Sequence, residues 1–227
     1  MAPMRHEAIS AQGIEVAFGE RSVLDGVGLT IAPSEVVAIC GASGCGKTTL
    51  LRVLAGIQSP DSGHVVYDGE DITRLSDSRR SDLRLREFGF VFQFGDLVPE
   101  LSLRENIELP LEFLGFDRSA RRARVEPLIE AVGLQGCCDQ LPHTVSGGER
   151  QRTAVARAVA HRPRVVFADE PTGSLDTSSR DAVLALLASV ARRFACALVM
   201  VTHDAYVAEH CDRVISLVDG RVASEPN

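Results

Sequence analysis

Residues 41–48 read Gly-Ala-Ser-Gly-Cys-Gly-Lys-Thr and fit the pattern G-x-x-x-x-G-K-[ST]. Their setting constrains the fold. The apolar run from Glu35 to Cys40 suits a buried strand, and a helical pattern runs from about Lys47 to Ala55, with Gly56 placed to cap its C-terminus. Between strand and helix, Gly41, Gly44 and Gly46 let the backbone turn so that successive N–H groups face inward toward phosphate oxygens. The helix that follows adds its positive end. Lys47 is placed to reach the outer phosphates, and the Thr48 hydroxyl suits Mg²⁺. The phosphate-binding candidates are therefore Gly41, Ala42, Ser43, Gly44, Cys45, Gly46, Lys47, Thr48 and Thr49. Cys45 reads as a small residue that fits the loop, with a redox brake on phosphate binding as the alternative.

Lys47 is also the only lysine among the 24 Lys and Arg residues of this 227-residue chain, which leaves 23 arginines. A surface tolerates either cation. A tight anion-binding loop favours the slim, flexible ammonium over a rigid planar fork. With 45% hydrophobic and 24% charged residues, the chain can bury an ordinary core. Its net charge of -7 argues against a nucleic-acid partner. The most apolar stretch, around 184–201, is interrupted by Arg192 and Arg193 and is too broken to span a bilayer. The first ten residues hold no signal-peptide core, so a cytoplasmic location is expected. The six cysteines form no C-x-x-C pair, and adjacent Cys137 and Cys138 read as ordinary reduced thiols.

Short strands are expected at Ile14 to Phe18 and Leu29 to Ile31, and a hairpin turns at Asp68-Gly69. From about Asp96 to Ala160 the chain reads as helical, punctuated by Pro99, Pro110, Gly133 and Pro142. Strand and helix signals then alternate: Val165 to Ala168, Ser178 to Phe194, Ala195 to Val201, and a terminal hairpin over Val214 to Val218 and Arg221-Val222. This order predicts an α/β fold with a parallel core split by a helical insert.

Asp169 and Glu170 end the run Val-Val-Phe-Ala, at the carboxyl end of a strand, where ligands of parallel sheets bind. The first carboxylate suits Mg²⁺ and the second a general base. His203 ends another buried run. A histidine there is as often a hydrogen-bonded structural residue, but it would share one sheet edge with Lys47 and Asp169. Ser146 and Glu149 have the spacing of a capping box, which by itself describes a well-capped helix. Gly147 and Gly148 between them are poor first-turn residues and leave bare N–H groups, a second anion-binding device. Two such devices about 100 residues apart suggest a site shared by two copies of the chain.

These motifs together resemble the nucleotide-binding subunit of an ABC transporter over almost the whole length. "GASGCGKT" is similar to Walker A, "VSGGE" to the ABC signature, "VVFADE" to Walker B and "GSLD" to the D-loop. Gln93 resembles the Q-loop glutamine, His203 the switch histidine, and Phe18 the aromatic that stacks on adenine. The resemblance implies a P-loop NTPase (RecA-like) parallel core with an N-terminal antiparallel β subdomain and an inserted helical subdomain. Residues 1–93 and 161–227 would form the ATP-binding core, and 94–160 the helical signature subdomain. It also implies an ATPase that closes head to tail as a homodimer around two ATP·Mg²⁺. Lys47 of one copy and Ser146, Gly147, Gly148 and Glu149 of the other would bracket each nucleotide. Glu170 would polarise the attacking water, His203 would hold the γ-phosphate, and Asp176 would couple the two sites. Thr48, Gln93 and Asp169 would surround the ion.

"FGFVFQFGDLVPELSLRENIELPL" and "DEPTGSLD" resemble the branch of lipoprotein-release, macrolide-efflux and cell-division ATPases. The branch implies a peripheral position on the inner face of the membrane, through a separate integral membrane permease. A regulatory ATPase that signals to cell-wall hydrolases without moving cargo is the second reading. A soluble DNA-repair ATPase would need long heptads or C-x-x-C insertions that the chain lacks. Phe94, Leu97, Val98, Leu101 and Leu103, each read alone as core, lie where the resemblance places a permease-docking groove. Arg118, Arg121, Arg122 and Arg124 read as a solvated helix face, with anionic lipid as the alternative.

Overall fold

A computed structural model describes residues 8–93, 95–173 and 175–223. Two long antiparallel strands, β1 (Ile9–Phe18) and β2 (Arg21–Ile31), lead into β3 (Val36–Cys40) and α1 (Lys47–Leu54). The hairpin β4 (Ser62–Tyr67) and β5 (Glu70–Asp71) follows, then α2 (Asp77–Glu87) and β6 (Phe88–Val91). Three helices come next: α3 (Leu103–Phe113), α4 (Arg118–Ala131) and α5 (Gly147–Val159). The chain closes with β7 (Val165–Asp169), α6 (Thr177–Phe194), β8 (Ala197–Thr202), the short α7 (Ala205–Ala208), β9 (Arg213–Val218) and β10 (Arg221–Val222).

The strands form two sheets. One is four-stranded and antiparallel, ordered β2-β1-β4-β5; the other is six-stranded, ordered β10-β9-β3-β8-β7-β6, with only β10 antiparallel. All six residues of β8 are buried, as are the first four of β3 and β7. A parallel strand covered on both faces needs apolar residues at every position, which is why these runs are continuous. Alternate residues feed two cores. Val199, Val201, Val165 and Phe167 face a cluster shared with β1, β2 and α1. Leu198, Met200, Val166 and Ala168 face a second cluster, shared with α3, α4, α5 and α6.

The register decides where the site forms. Cys40 pairs with Thr202, and Asp169 with Val201. Residues 41, 170 and 203 therefore leave the sheet at one edge, and Gln93 follows two residues after the end of β6, beside them.

Several expected elements differ in extent. β1 and β2 run well beyond Ile14 to Phe18 and Leu29 to Ile31, because register shifts let pairing continue through their irregular middles. α2 lies in a stretch that gave no helical reading, for a plain reason: none of its residues is buried, so no apolar stripe marks it. It is held by its Ser76 cap and ion pairs such as Arg86–Asp82. All six cysteines are free thiols. No helix among the described residues is long and apolar enough to cross a membrane.

Candidate active site

β3 delivers the chain into the loop at Gly41, and α1 carries it away from Gly46. Neither glycine can be replaced without movement. A Cβ on Gly41 would lie 2.3 Å from the Leu217 carbonyl oxygen and 2.7 Å from Cys45 Sγ. Gly46 has φ 105°, and its Cβ would lie 2.7 Å from the Val23 carbonyl oxygen. Every other described α-helix starts with a Ser or Asp side chain bonded to its first turn, as at Ser76, Ser102, Asp117, Ser146, Asp176 and Asp204. α1 has no such cap and no acidic residue in its first turn. Its bare N–H groups and positive end therefore await an anion.

Lys47 supports the same conclusion. It is 7% exposed, and its ammonium donates to the Gly41 and Ala42 carbonyls at 2.8 and 3.0 Å, with no carboxylate partner among the described residues. A buried cation bonded only to neutral carbonyls fits an incoming phosphate. An open cleft of about 230 Å³ lies over the loop, lined by Phe18, Arg21, Val23, Gly44, Lys47 and Thr48, with Gly46 and Thr49. Phe18 is 58% exposed on its rim, and Arg21 donates to the Gly44 carbonyl at 3.3 Å. The position of Arg21 carries no motif in the sequence.

Thr48 Oγ1 donates to Asp169 Oδ1 at 3.1 Å, joining the loop to the end of β7. Burial pushes the Asp169 carboxyl up, the Thr48 hydrogen bond offsets this, and the neighbouring Glu170 adds to the rise. A buried carboxylate beside a hydroxyl is a hard oxygen pair suited to Mg²⁺, and its desolvation is relieved by a cation. Gln93 brings a carboxamide to the same edge and packs on Gly173, whose Cβ would lie 3.0 Å from Gln93 Nε2. These donors fit a divalent ion that shares its coordination with substrate oxygens and water, as Mg²⁺ does.

Glu170 has φ 46°, in the left-handed region that side chains usually avoid. Its N–H donates to the Val201 carbonyl at 2.9 Å and its carbonyl accepts from Gly173 at 3.1 Å, so the turn is fixed from both sides. Its carboxylate meets His203 Nδ1 at 2.8 Å through Oε1, and Thr202 Oγ1 at 3.4 Å through Oε2. His203 is exposed on its outer face. Strain at a carboxylate on a sheet edge, held by two partners, marks a functional group.

Ser146 and Glu149 form the expected capping box. The Ser146 hydroxyl donates to Glu149 Oε2 at 2.7 Å, and the Glu149 N–H donates back to Ser146 at 3.3 Å. The Ser146 hydrogen bonds hold the Glu149 carboxyl below its usual range. Gly147 and Gly148 sit against the start of α6, next to Leu175 and Ser179. Asp176 caps α6 by accepting from the Ser179 N–H and the hydroxyls of Ser178 and Ser179, which hold its carboxyl well below the carboxylate range. No described hydrogen bond of Ser146 to Glu149, or of Asp176, reaches the loop at 41–48. The sequence-predicted residues thus fall in two groups: Phe18, the loop, Asp169, Glu170, His203 and Gln93 in one, and Ser146 to Glu149 with Asp176 in the other.

A second, apolar groove of about 420 Å³ opens beside α2, lined by Ile57, Leu85, Phe90, Phe92, Leu109 and Phe113 among others. Phe113 is 66% exposed on its rim. The reading of the apolar residues behind Gln93 as core agrees with the structure at Leu103 and Leu97. Leu103 is fully buried, Leu97 packs on the core, and Val98 and Leu101 serve as backbone partners of buried Asn106. None of the four lines the groove, and Phe94 lies outside the described residues. The arginine run also divides: Arg121 pairs with Glu108 and Glu112, and Arg124 lies over the Phe116 ring.

A parallel sheet with an uncapped, glycine-fed helix on one strand and a carboxylate pair on another is the architecture of a P-loop NTPase. The chain belongs to the ABC transporter family, whose profile matches residues 24–173. It is an ATP-binding, ATP-hydrolysing subunit of the lipoprotein-release and macrolide-efflux branch. It is 43% identical over 198 residues to the lipoprotein-releasing system ATP-binding protein LolD of Shewanella frigidimarina, covering 87% of this chain and 83% of that protein. It is 41% identical over 226 residues to the macrolide export ATP-binding/permease protein MacB 1 of Aeromonas hydrophila, covering 98% of this chain but 35% of that longer protein. The dimeric post-hydrolysis state of the ATP-binding cassette MJ0796, bound to ADP and Pi, superposes with a TM-score of 0.88 at 33% identity, over 96% of this chain and 98% of that one.

Proposed function

We propose that the chain works as a head-to-tail homodimer that hydrolyses ATP to drive a separate integral membrane permease, from the cytoplasmic face of the membrane. The observation that carries this reading is the juxtaposition, on one sheet edge, of the uncapped α1 with Lys47 and the tethered pairs Thr48–Asp169 and Glu170–His203. Residues 1–93 and 161–227 form the ATP-binding core in this reading, and 94–160 the signature subdomain.

The loop N–H groups and Lys47 bind the phosphates, and Phe18 stacks on the base. Thr48, Asp169 and Gln93 would hold Mg²⁺. When bound, the ion neutralises charge on the phosphate oxygens. Glu170 accepts a proton from the attacking water, while His203 fixes the carboxylate and turns its exposed ring edge toward the γ-phosphate. Ser146, Gly147 and Gly148 of the partner copy close over that phosphate, with Glu149 bracing the serine and Asp176 linking the two sites. Positioning and charge stabilisation supply most of the acceleration in such a transfer. The apolar groove beside α2 receives the permease.

Two measurements test this reading. Lys47→Met removes a charge-assisted donor, which predicts MgATP affinity at least about 30-fold weaker by titration, with thermal stability little changed. The chain is also expected to co-purify from native membranes with an integral membrane protein, and Phe113→Asp at the groove rim should abolish that association. A partner that is retained by this variant counts against the groove. A partner that controls a wall hydrolase and carries no cargo would replace the transport role with the signalling one.

A further inference from the structure

Thr202 closes β8, and its side chain is almost fully enclosed, at 1% exposure. Val199 and Val201 occupy the same strand, and a valine would fill the space of Thr202 equally well. What the threonine adds is a hydroxyl. A buried hydroxyl needs partners, and it has one proton to give. The Asp204 N–H donates to Thr202 Oγ1 at 3.0 Å and so occupies its acceptor side. The remaining proton is directed at Glu170 Oε2, 3.4 Å away, the sole acceptor of this hydroxyl among the described residues. That contact is long, as hydrogen bonds to catalytic groups are before substrate binds.

Asp204 is itself immobilised. Its Oδ1 accepts from the Tyr206 N–H at 2.9 Å and its Oδ2 meets Arg180 at 3.4 Å. The Arg180 guanidinium lies 4.1 Å over the Tyr206 ring. Arg180 belongs to the start of α6, the helix capped by Asp176. A continuous bracket thus runs from α6 through Asp204 to the Thr202 hydroxyl.

We propose that Thr202 is a positioning residue for Glu170: its hydroxyl, oriented by the Asp204 N–H, holds Oε2 while His203 holds Oε1. This rests on the reading of Glu170 as the base. With both oxygens held, the carboxylate cannot rotate about its last bond, and one lone pair stays aimed at the attacking water. Loss of one tether leaves substrate binding alone and costs turnover.

The test compares Thr202→Val, Thr202→Ser and Glu170→Gln with the unmodified chain. Thr202→Val is expected to lower kcat by roughly 10- to 50-fold. KM for MgATP should stay within about twofold, and ATP-dependent dimerisation should persist. Thr202→Ser keeps both hydrogen bonds and should recover kcat to within about threefold. Wild-type kcat in Thr202→Val beside an inactive Glu170→Gln overturns the positioning role alone. An active Glu170→Gln overturns the base assignment beneath it. If kcat, KM and thermal midpoint all deteriorate in Thr202→Val and serine restores none of them, the substitution disturbs packing at the strand end rather than a tether on Glu170, and the proposal fails.

Discussion

Glu170→Gln is expected to bind MgATP with near-normal affinity and to lose about 10²- to 10⁴-fold in turnover. The amide keeps the size of the carboxylate and can still accept from Thr202, so the turn at φ 46° and the strand end survive. What disappears is the capacity to take a proton. Because the proposed phosphate site is α1, Lys47 and the loop rather than Glu170, binding and chemistry should separate in this variant. A dimer held by unhydrolysed ATP should accumulate and be visible as a doubled mass in sedimentation with MgATP. Wild-type turnover would show that another group activates the water.

Ser146→Arg should have an equally large effect by another route. Ser146 is exposed at the tip of α5, so an arginine is accommodated in the separate monomer at the cost of the capping box, about 1 kcal/mol. In a closed pair the same side chain would stand where the partner's nucleotide lies. Monomer ATP binding is expected to persist, the ATP-dependent dimer to vanish, and steady-state hydrolysis to fall at least about 100-fold, since the oxyanion side of the site is never completed. Sedimentation with MgATP reads this directly. A closed dimer in this variant would remove the composite-site argument.

The parallel core was legible because burial on both faces writes continuous apolar runs, and β3, β7 and β8 fall within two residues of where those runs lie. The loop was legible because its glycines have no substitute, as the contacts of Gly41 and Gly46 make clear. α2 was hidden because a helix that buries nothing needs no periodicity. The apolar groove left no mark in the sequence for a related reason: Ile57, Leu85 and Phe113 converge on it from three separate segments. Thr202 and Arg21 escaped notice because neither residue type is unusual where it stands. Their significance lies in partners 32 and 23 residues away.

β6 and α5 approach each other unusually closely. A Cβ on Gly89 would lie 2.2 Å from the Ala158 carbonyl oxygen, so no side chain separates the two backbones there. Gln151 and Arg157, on the same helix, donate to the carbonyls of Phe92, Gly95 and Asp96 just beyond β6. In mechanical terms this makes Gly89–Ala158 a fulcrum. Tilting α3–α5 against the sheet leaves that point nearly still and moves most what lies farthest from it. Any tilt of α5 about that point would carry Ser146, at the opposite end of the helix, farther than the residues near Ala158, and the bonds from Gln151 and Arg157 would couple the chain just beyond β6 to the same movement.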